Sequence, residues 1–472
     1  MYHITRFPLL LVLILLAAPA LSRARPPGKQ LERFLKKEIL PELPAGARLQ
    51  LSVRDATNGK IIFSRQGDAN CVPASTLKLL TAGLALNTLG PEFCFNTHLA
   101  LRPDSIRCDT IYGDIVLTAD GDPTLTTVDL EDLSAAFVSR VSGGQNTPVR
   151  VRGDLLLSTA VFDTLYRGPG WMWDDGDRPW AADITPFIVN RNCIGLECVQ
   201  GEQGQRLYWL PALQLFPVSM GGGSTVRRLA GNRFEIGNGA FDLEPVLRVR
   251  NLEEPQLVYS LALKQLLAEQ GVVVSGEVRL NHLPDSSSTD TFSTVHRSVP
   301  LAELSGPLLR QSNNLYAEAL FKRCAFETTG KPGSWRAGAK QMHSWLVDSL
   351  GLATDGQIVD GSGMSRYNLV APNRMTAALY RFQLEDWFGS FRAALPVMGR
   401  HGTVADREIN LPGNIVRAKT GSLRNHKLIT GYIEREGAAA LIFFINIDGF
   451  TTDSRRMTEL QDQIIHYLAT IK

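Results

Sequence analysis

The chain has 472 residues, 44% hydrophobic and 20% charged, a globular composition at a length that calls for more than one core. A net charge of +2 with no lysine- or arginine-rich run excludes nucleic acid as a partner. Neither a Cys-x-x-Cys pair nor a His-Glu-x-x-His occurs, so no metal site is expected.

In chain order, Arg6, the apolar run Leu9 to Leu16 and the small residues Ala17 to Ser22 have the form of a secretory signal. Residues 1–22 are therefore expected to be removed, leaving a mature chain that begins near Arg23. That apolar core is short, no later segment offers about 20 apolar residues, and no cysteine stands at the cleavage point for a lipid, so no transmembrane anchor is expected. Export makes Cys71, Cys94, Cys108, Cys193, Cys198 and Cys324 disulfide candidates, with Cys193–Cys198 and Cys94–Cys108 the preferred local pairs.

Leu31, Phe34, Leu35, Ile39 and Leu40 have helical spacing, which predicts an amphipathic helix from about Lys29 to a stop near Pro41 or Pro44. Leu49, Leu51 and Val53 alternate as a strand, Asn58-Gly59 turns, and Ile61 to Phe63 return. The hairpin leads to Pro73-Ala74-Ser75-Thr76-Leu77-Lys78, followed by Leu79, Leu80, Ala82, Leu84, Ala85 and Leu86. This pattern predicts a buried helix with Ser75 in its first turn and Lys78 on the same face. A lysine held neutral by burial or by a second cation can take a proton from a hydroxyl above it. On its own the spacing reads first as a helix cap followed by a solvated lysine.

After Leu89-Gly90-Pro91 the texture changes to short β-like runs broken by glycine, proline and aspartate, lasting to the polar stretch Asp285 to Asp290. This reads as an insertion. Within it, Gly113-Asp114-Ile115-Val116-Leu117 and Gly153-Asp154-Leu155-Leu156-Leu157 look alike, though five residues are too few for a repeat. The segment Gly170-Trp171-Met172-Trp173-Asp174-Asp175 reads by spacing as a loop with buried aromatics. Helical texture resumes at Leu301 and carries Ser312-Asn313-Asn314. Strand-like runs at Asn414 to Ala418, Leu428 to Ile433 and Ala439 to Ile445 precede a last helix from about Asp453, its stripe of Met457, Leu460, Ile464, Ile465 and Leu468 suited to docking on a sheet. The two chain ends can thus share one antiparallel sheet, split by the insertion.

Ser-x-x-Lys (Ser75, Lys78), Ser-x-Asn (Ser312, Asn314) and Lys-Thr-Gly (Lys419, Thr420, Gly421) each occur once, in that order. Together they resemble the signature of penicillin-binding proteins and serine β-lactamases. Trp173-Asp174-Asp175, Asn190-Arg191-Asn192-Cys193 and Asp360-Gly361-Ser362-Gly363-Met364-Ser365-Arg366 narrow the likeness to the class C, low-molecular-mass penicillin-binding proteins, the D-alanyl-D-alanine carboxypeptidases and endopeptidases of peptidase family S13. Met364, where leucine is usual, and Arg400-His401-Gly402-Thr403, where the family often has an aspartate before Gly-Thr, are departures from the pattern.

The resemblance implies an α+β fold, a serine β-lactamase/transpeptidase-like domain of antiparallel sheet and helices interrupted by a large β-rich two-part insertion. The expected division is residues 23–90 and 296–472 for that domain, with 91–295 inserted. It implies Ser75 as nucleophile, Lys78 as base, Ser312 and Asn314 as proton relay and orienting groups, and Lys419 and Thr420 as holders of a terminal carboxylate. Backbone N–H groups of Ser75 and Ser422 would form the oxyanion hole, and Thr420, Gly421 and Ser422 would bind substrate. Asp175 and Arg366 would bind the ammonium and carboxylate of a diaminopimelate side chain. Two lysines in one cleft cannot both ionise freely, so Lys78 is expected neutral and Lys419 charged.

Peptidoglycan peptide stems are the implied partners and β-lactams the implied inhibitors, with no cofactor, a periplasmic location, and homo-oligomer formation left open. The rivals are a β-lactamase, which lacks so long an insertion, and a catalytically silent peptidoglycan-binding protein, which would not need intact motifs. A histidine-based serine hydrolase would require a Gly-x-Ser-x-Gly elbow that is absent.

Overall fold

The computed structural model describes residues 26–471 except 108–109, 145–147, 202–203, 213–215, 242–246, 282–291, 353–354 and 408. The expected export signal, residues 1–22, and the Cys108 end of the Cys94–Cys108 pair lie outside the described residues.

A five-stranded antiparallel sheet joins both chain ends in the order Ile415–Leu423, His426–Glu434, Leu441–Asp448, Arg48–Asp55, Ile61–Arg65. Alternation sorts its side chains to two faces. Ile429, Ile433, Phe443, Ile445 and Val53 meet the helices Pro27–Phe34 and Ser454–Thr470 through Leu31, Leu460, Ile464 and Leu468. Leu428, Tyr432, Ile442 and Phe444 face the other way, onto the helices Lys78–Leu89, Asn314–Thr329 and Pro372–Phe382. The first helix continues beyond Phe34 as a wider turn, Leu35–Ile39, and ends at Leu40–Glu42, where Pro41 stops it as expected. Among the described residues, no helix is long and apolar enough to cross a membrane.

Between Asn96 and Arg297 the described residues form further sheets, one of seven strands and two of three. The look-alike segments lie side by side in the largest, Ile115 opposite Leu155 and Leu117 opposite Leu157 in parallel register. A third strand, Val278–Asn281, adds to the same ladder with Val278 opposite Leu155. The glycines that open these segments allow the stacking, since a Cβ on Gly153 would stand 1.9 Å from the Gly113 carbonyl oxygen and one on Gly276 2.2 Å from that of Gly153.

Two helices within this region, Thr127–Val141 and Pro255–Glu269, were not expected from its β-like texture. The first was readable in the capping box of Thr126 and Asp129. The second carries Leu257, Val258, Leu261, Leu263, Leu266 and Leu267 on several faces and shows no single stripe.

The Cys193–Cys198 disulfide does not form. Both residues are free thiols in one extended strand, Cys193–Gly201. Five residues of strand separate them by roughly 16 Å and turn them to opposite faces, far beyond the reach of a disulfide.

Candidate active site

Ser75 stands in a tight turn, Ala74–Leu77, that runs directly into the helix Lys78–Leu89. Ala74 takes the left-handed conformation, φ 46°, which sets the turn's entry, and Thr76 Oγ1 closes it on the Pro73 carbonyl at 2.6 Å. Lys78 is fully buried. Its Nζ donates to Ser75 Oγ at 3.0 Å, Asn314 Oδ1 at 2.7 Å and the Ser362 carbonyl at 2.8 Å. Three acceptors fix the amine beneath the hydroxyl.

Asn314 opens the helix Asn314–Thr329, whose cap is the Asn313 side chain, accepting from Tyr316 N at 3.2 Å. The helical texture from Leu301 is thus two helices, broken at Ser312, which has φ 58°. Asn314 Nδ2 donates to the Trp180 carbonyl at 2.9 Å and approaches Met364 Sδ at 3.3 Å, so the unusual methionine faces the site. Ser312 is half-buried at the break, and its hydroxyl makes no hydrogen bond to a described residue.

Lys419, Thr420 and Gly421 lie on the edge strand Ile415–Leu423. A Cβ on Gly421 would stand 2.9 Å from the Pro73 carbonyl oxygen and 3.1 Å from Ala74 Cβ, so only glycine lets this strand lie against the Ser75 turn. Lys419 is fully buried and donates to the Thr420 carbonyl at 2.8 Å. Thr420 Oγ1 pairs with Thr403 Oγ1 at 2.8 Å, and Ser422 is exposed.

Burial lowers Lys78 to about 7, against the pull of Glu318 and Asp360, which favour its charge. Lys419 is lowered well below its ordinary value by burial and then by the charge of Lys78. Burial thus disfavours the cation at both lysines, while Glu318 and Asp360 support the charge of Lys78.

Asp175 and Arg366 do not touch. The Asp175 carboxylate accepts from Trp180 Nε1 at 3.1 Å and Met172 N at 3.2 Å. Arg366 is half-buried and near enough to His426 to lower that imidazole's proton affinity, after burial and against Asp448. The segments that carry them meet, since Trp171 Nε1 donates to Asp360 Oδ2 at 3.1 Å and a Cβ on Gly170 would stand 2.6 Å from Ser365 Oγ. Trp173 is 89% exposed, which corrects the reading of this segment as one of buried aromatics.

Sequence reasoning passed over Glu318. It is fully buried on the helix that Asn314 opens, and both its oxygens accept backbone N–H groups of the Asp360 loop. The readable signal was its place four residues after Asn314, on the same helical face.

The arrangement is a hydroxyl over a buried amine, with a second buried amine on an adjoining strand and an amide between domain and insertion. A hydroxyl so placed can lose its proton to an amine of lowered proton affinity, a pairing suited to acyl transfer. The chain is similar to known proteins. Residues 29–471 match the profile of the D-Ala-D-Ala carboxypeptidase 3 (S13) family. A D-alanyl-D-alanine carboxypeptidase of Actinomadura sp. is 31% identical over 456 residues, 90% of this chain and 82% of that protein. The crystal structure of penicillin binding protein 4 from Haemophilus influenzae superposes with a TM-score of 0.80 at 24% identity, covering 93% of this chain and 99% of that one. The same protein complexed with a β-lactam gives 0.75 at 23% identity, with the same coverage of both chains.

Proposed function

The chain belongs to the D-Ala-D-Ala carboxypeptidase 3 (S13) family, and from that membership we propose that it is a serine D-alanyl-D-alanine carboxypeptidase working through an acyl-enzyme on Ser75. The observation that carries the reading is the 3.0 Å contact between Ser75 Oγ and a fully buried Lys78 whose proton affinity lies near neutrality.

In this mechanism the substrate's terminal carboxylate meets protonated Lys419 and Thr420. That second cation in one desolvated cleft keeps Lys78 neutral beside Ser75. Ser75 Oγ attacks the carbonyl of the penultimate D-alanine while Lys78 takes the hydroxyl proton. The backbone N–H groups of Ser75 and Ser422 receive the oxyanion. The proton passes by way of Ser312 to the departing amine, the C–N bond breaks, and D-alanine leaves. Water then hydrolyses the ester and restores Ser75. Asn314 orients Lys78 throughout, and no cofactor takes part. Asp175 and Arg366 are assigned to the diaminopimelate side chain of the substrate, from the segments that border the 360–366 loop.

The same chemistry applied to a cross-link would be endopeptidase action, and a β-lactam in place of the peptide would leave a slowly hydrolysed ester. The complex of the Haemophilus influenzae relative with a β-lactam supports binding of such a compound. Residues 1–22 are assigned to export, to the periplasm. The division into 23–90, 91–295 and 296–472 belongs to the same proposal, and the sheet linking Asn96–Arg107 to Phe292–Arg297 supports it.

The test is to incubate purified protein with stem pentapeptides and cross-linked muropeptides and to weigh the products. Release of D-alanine, abolished by Ser75→Ala, is expected, and cleaved cross-links would add the endopeptidase activity. Rapid nitrocefin turnover without peptide cleavage would make the protein a β-lactamase, and binding without turnover a silent peptidoglycan-binding protein.

A further inference from the structure

Two buried carboxylates lie behind Lys78, and the proposed reaction uses neither. Glu318 Oε1 accepts Ser362 N at 2.8 Å, while Oε2 accepts Gly361 N at 2.9 Å and Trp335 Nε1 at 2.8 Å. The carbonyl of the same Ser362 accepts from Lys78 Nζ at 2.8 Å. One residue of backbone is thus gripped by the carboxylate at its N–H and by the lysine at its oxygen. Asp360 shapes the rest of the loop, accepting Gly363 N at 2.9 Å, Ser365 N at 2.7 Å, Asn368 Nδ2 at 2.7 Å and Trp171 Nε1 at 3.1 Å. Gly361 allows the loop to lie on the helix, because a Cβ there would stand 2.6 Å from Phe321 Cβ and 2.8 Å from the Ala317 carbonyl oxygen.

We propose that Glu318 is a positioning residue for Lys78, fixing the Ser362 carbonyl on the lysine amine and facing that amine with a negative charge across one residue of backbone. The inference rests on Lys78 being the base that activates Ser75. Lys78 is faced by Glu318 from its helix, by Asp360 from its loop and by Lys419 from the edge strand. Glu318 is faced in turn by Asp360 and by Lys322, whose charge is paired with Asp163 at 2.7 Å. Burial, and then the charge of Asp360, push Glu318 up to about 7 against its three N–H donors. Glu318 and Lys78 therefore exchange protons in the same pH range, with Asp360 raised beside them.

Glutamine at this position removes the charge and sets an NH2 group against at least one backbone N–H. Without the charge, burial acts on Lys78 with less opposition, and its proton affinity falls further. Aspartate keeps the charge but shortens the reach. The experiment follows the rate of Ser75 acylation by a fluorescent penicillin from pH 5 to 9, with thermal unfolding measured in parallel.

For Glu318→Gln the rise of rate with pH should move about one unit lower, and the plateau should fall roughly tenfold or more as Lys78 loses its alignment. Glu318→Asp should keep the wild-type midpoint with a lowered plateau, and it serves as the readout if the glutamine variant does not fold. A glutamine variant with an unchanged midpoint, or one moved higher, overturns the proposal, as does an aspartate variant with a full plateau. Absence of acylation in the wild type would instead overturn the function proposed for Ser75 and Lys78.

Discussion

Asn314 and Trp180 are joined by a 2.9 Å hydrogen bond from the asparagine amide to the tryptophan carbonyl, while the other end of the same amide accepts Lys78 Nζ at 2.7 Å. One side chain therefore ties Lys78 to the segment that carries Asp175. Asn314→Asp would leave two acceptors, repel the Trp180 carbonyl and place a negative charge on Lys78. Acylation at pH 7 should fall roughly 10- to 150-fold, the worth of about 1.5–3 kcal/mol for a charged hydrogen bond. The rise of rate with pH should also move higher, because a nearby anion favours the charged lysine. Stopped-flow acylation across pH checks both effects, and an unmoved midpoint would count against the contact.

Ser75→Ala should abolish labelling by fluorescent penicillin and remove the penicilloyl mass from the active-site peptide. Ser75 is only half-buried, so the substitution should leave thermal unfolding nearly unchanged. Labelling that survives would place the nucleophile elsewhere.

Lys78 is lowered from 10.5 to about 7, so its neutral form gains population as pH rises through 7. Acylation should climb with pH about that midpoint. A rate that stays flat from pH 5 to 9 would remove Lys78 from the role of base.

Asp175→Ala and Arg366→Ala should separate two activities. Each should lower kcat/KM for diaminopimelate-containing peptides roughly 10- to 150-fold, through loss of a charge-assisted bond of about 1.5–3 kcal/mol. Penicillin acylation of Ser75 should change little, since small β-lactams lack that side chain. Equal loss of both activities would make these residues supports of the fold.

Gly421→Ala tests the approach of the edge strand to the Ser75 turn. The added methyl would press on the Pro73 carbonyl oxygen at 2.9 Å, on Ala74 and on Thr76, and would part strand from turn. A cost of about 1–3 kcal/mol is expected in stability, with a larger loss in acylation than in melting temperature. Wild-type acylation in a fully folded variant would show that the strand has room to yield.

Much of this site was legible because its signals are local. The three-residue step from Ser75 to Lys78 and the strand alternation around Lys419 survive in any fold that buries them. Glu318 was not legible, because an acid on a helix reads as solvated until the Asp360 loop lands on it with two backbone N–H donors and Trp335 Nε1 adds a third. The pairing of Cys193 with Cys198 failed because nearness in sequence is not nearness in a strand. Conversely, the likeness of Gly113–Leu117 to Gly153–Leu157, too short to weigh as sequence, turned out to mark strands in direct register.

The middle of the five-stranded sheet pairs Arg48 with Asp448, residues 400 apart. Pairing across so long a loop is slow, and on a chain made from its N-terminus the partner of Arg48–Asp55 is synthesised among the last residues. The Ser75 turn rests on a strand that is also late, Ile415–Leu423. Until that part emerges, the strand Arg48–Asp55 lacks its partner Leu441–Asp448 and the Ser75 turn has no strand beside it. The wall of the Ser75 turn is therefore put in place only late in synthesis.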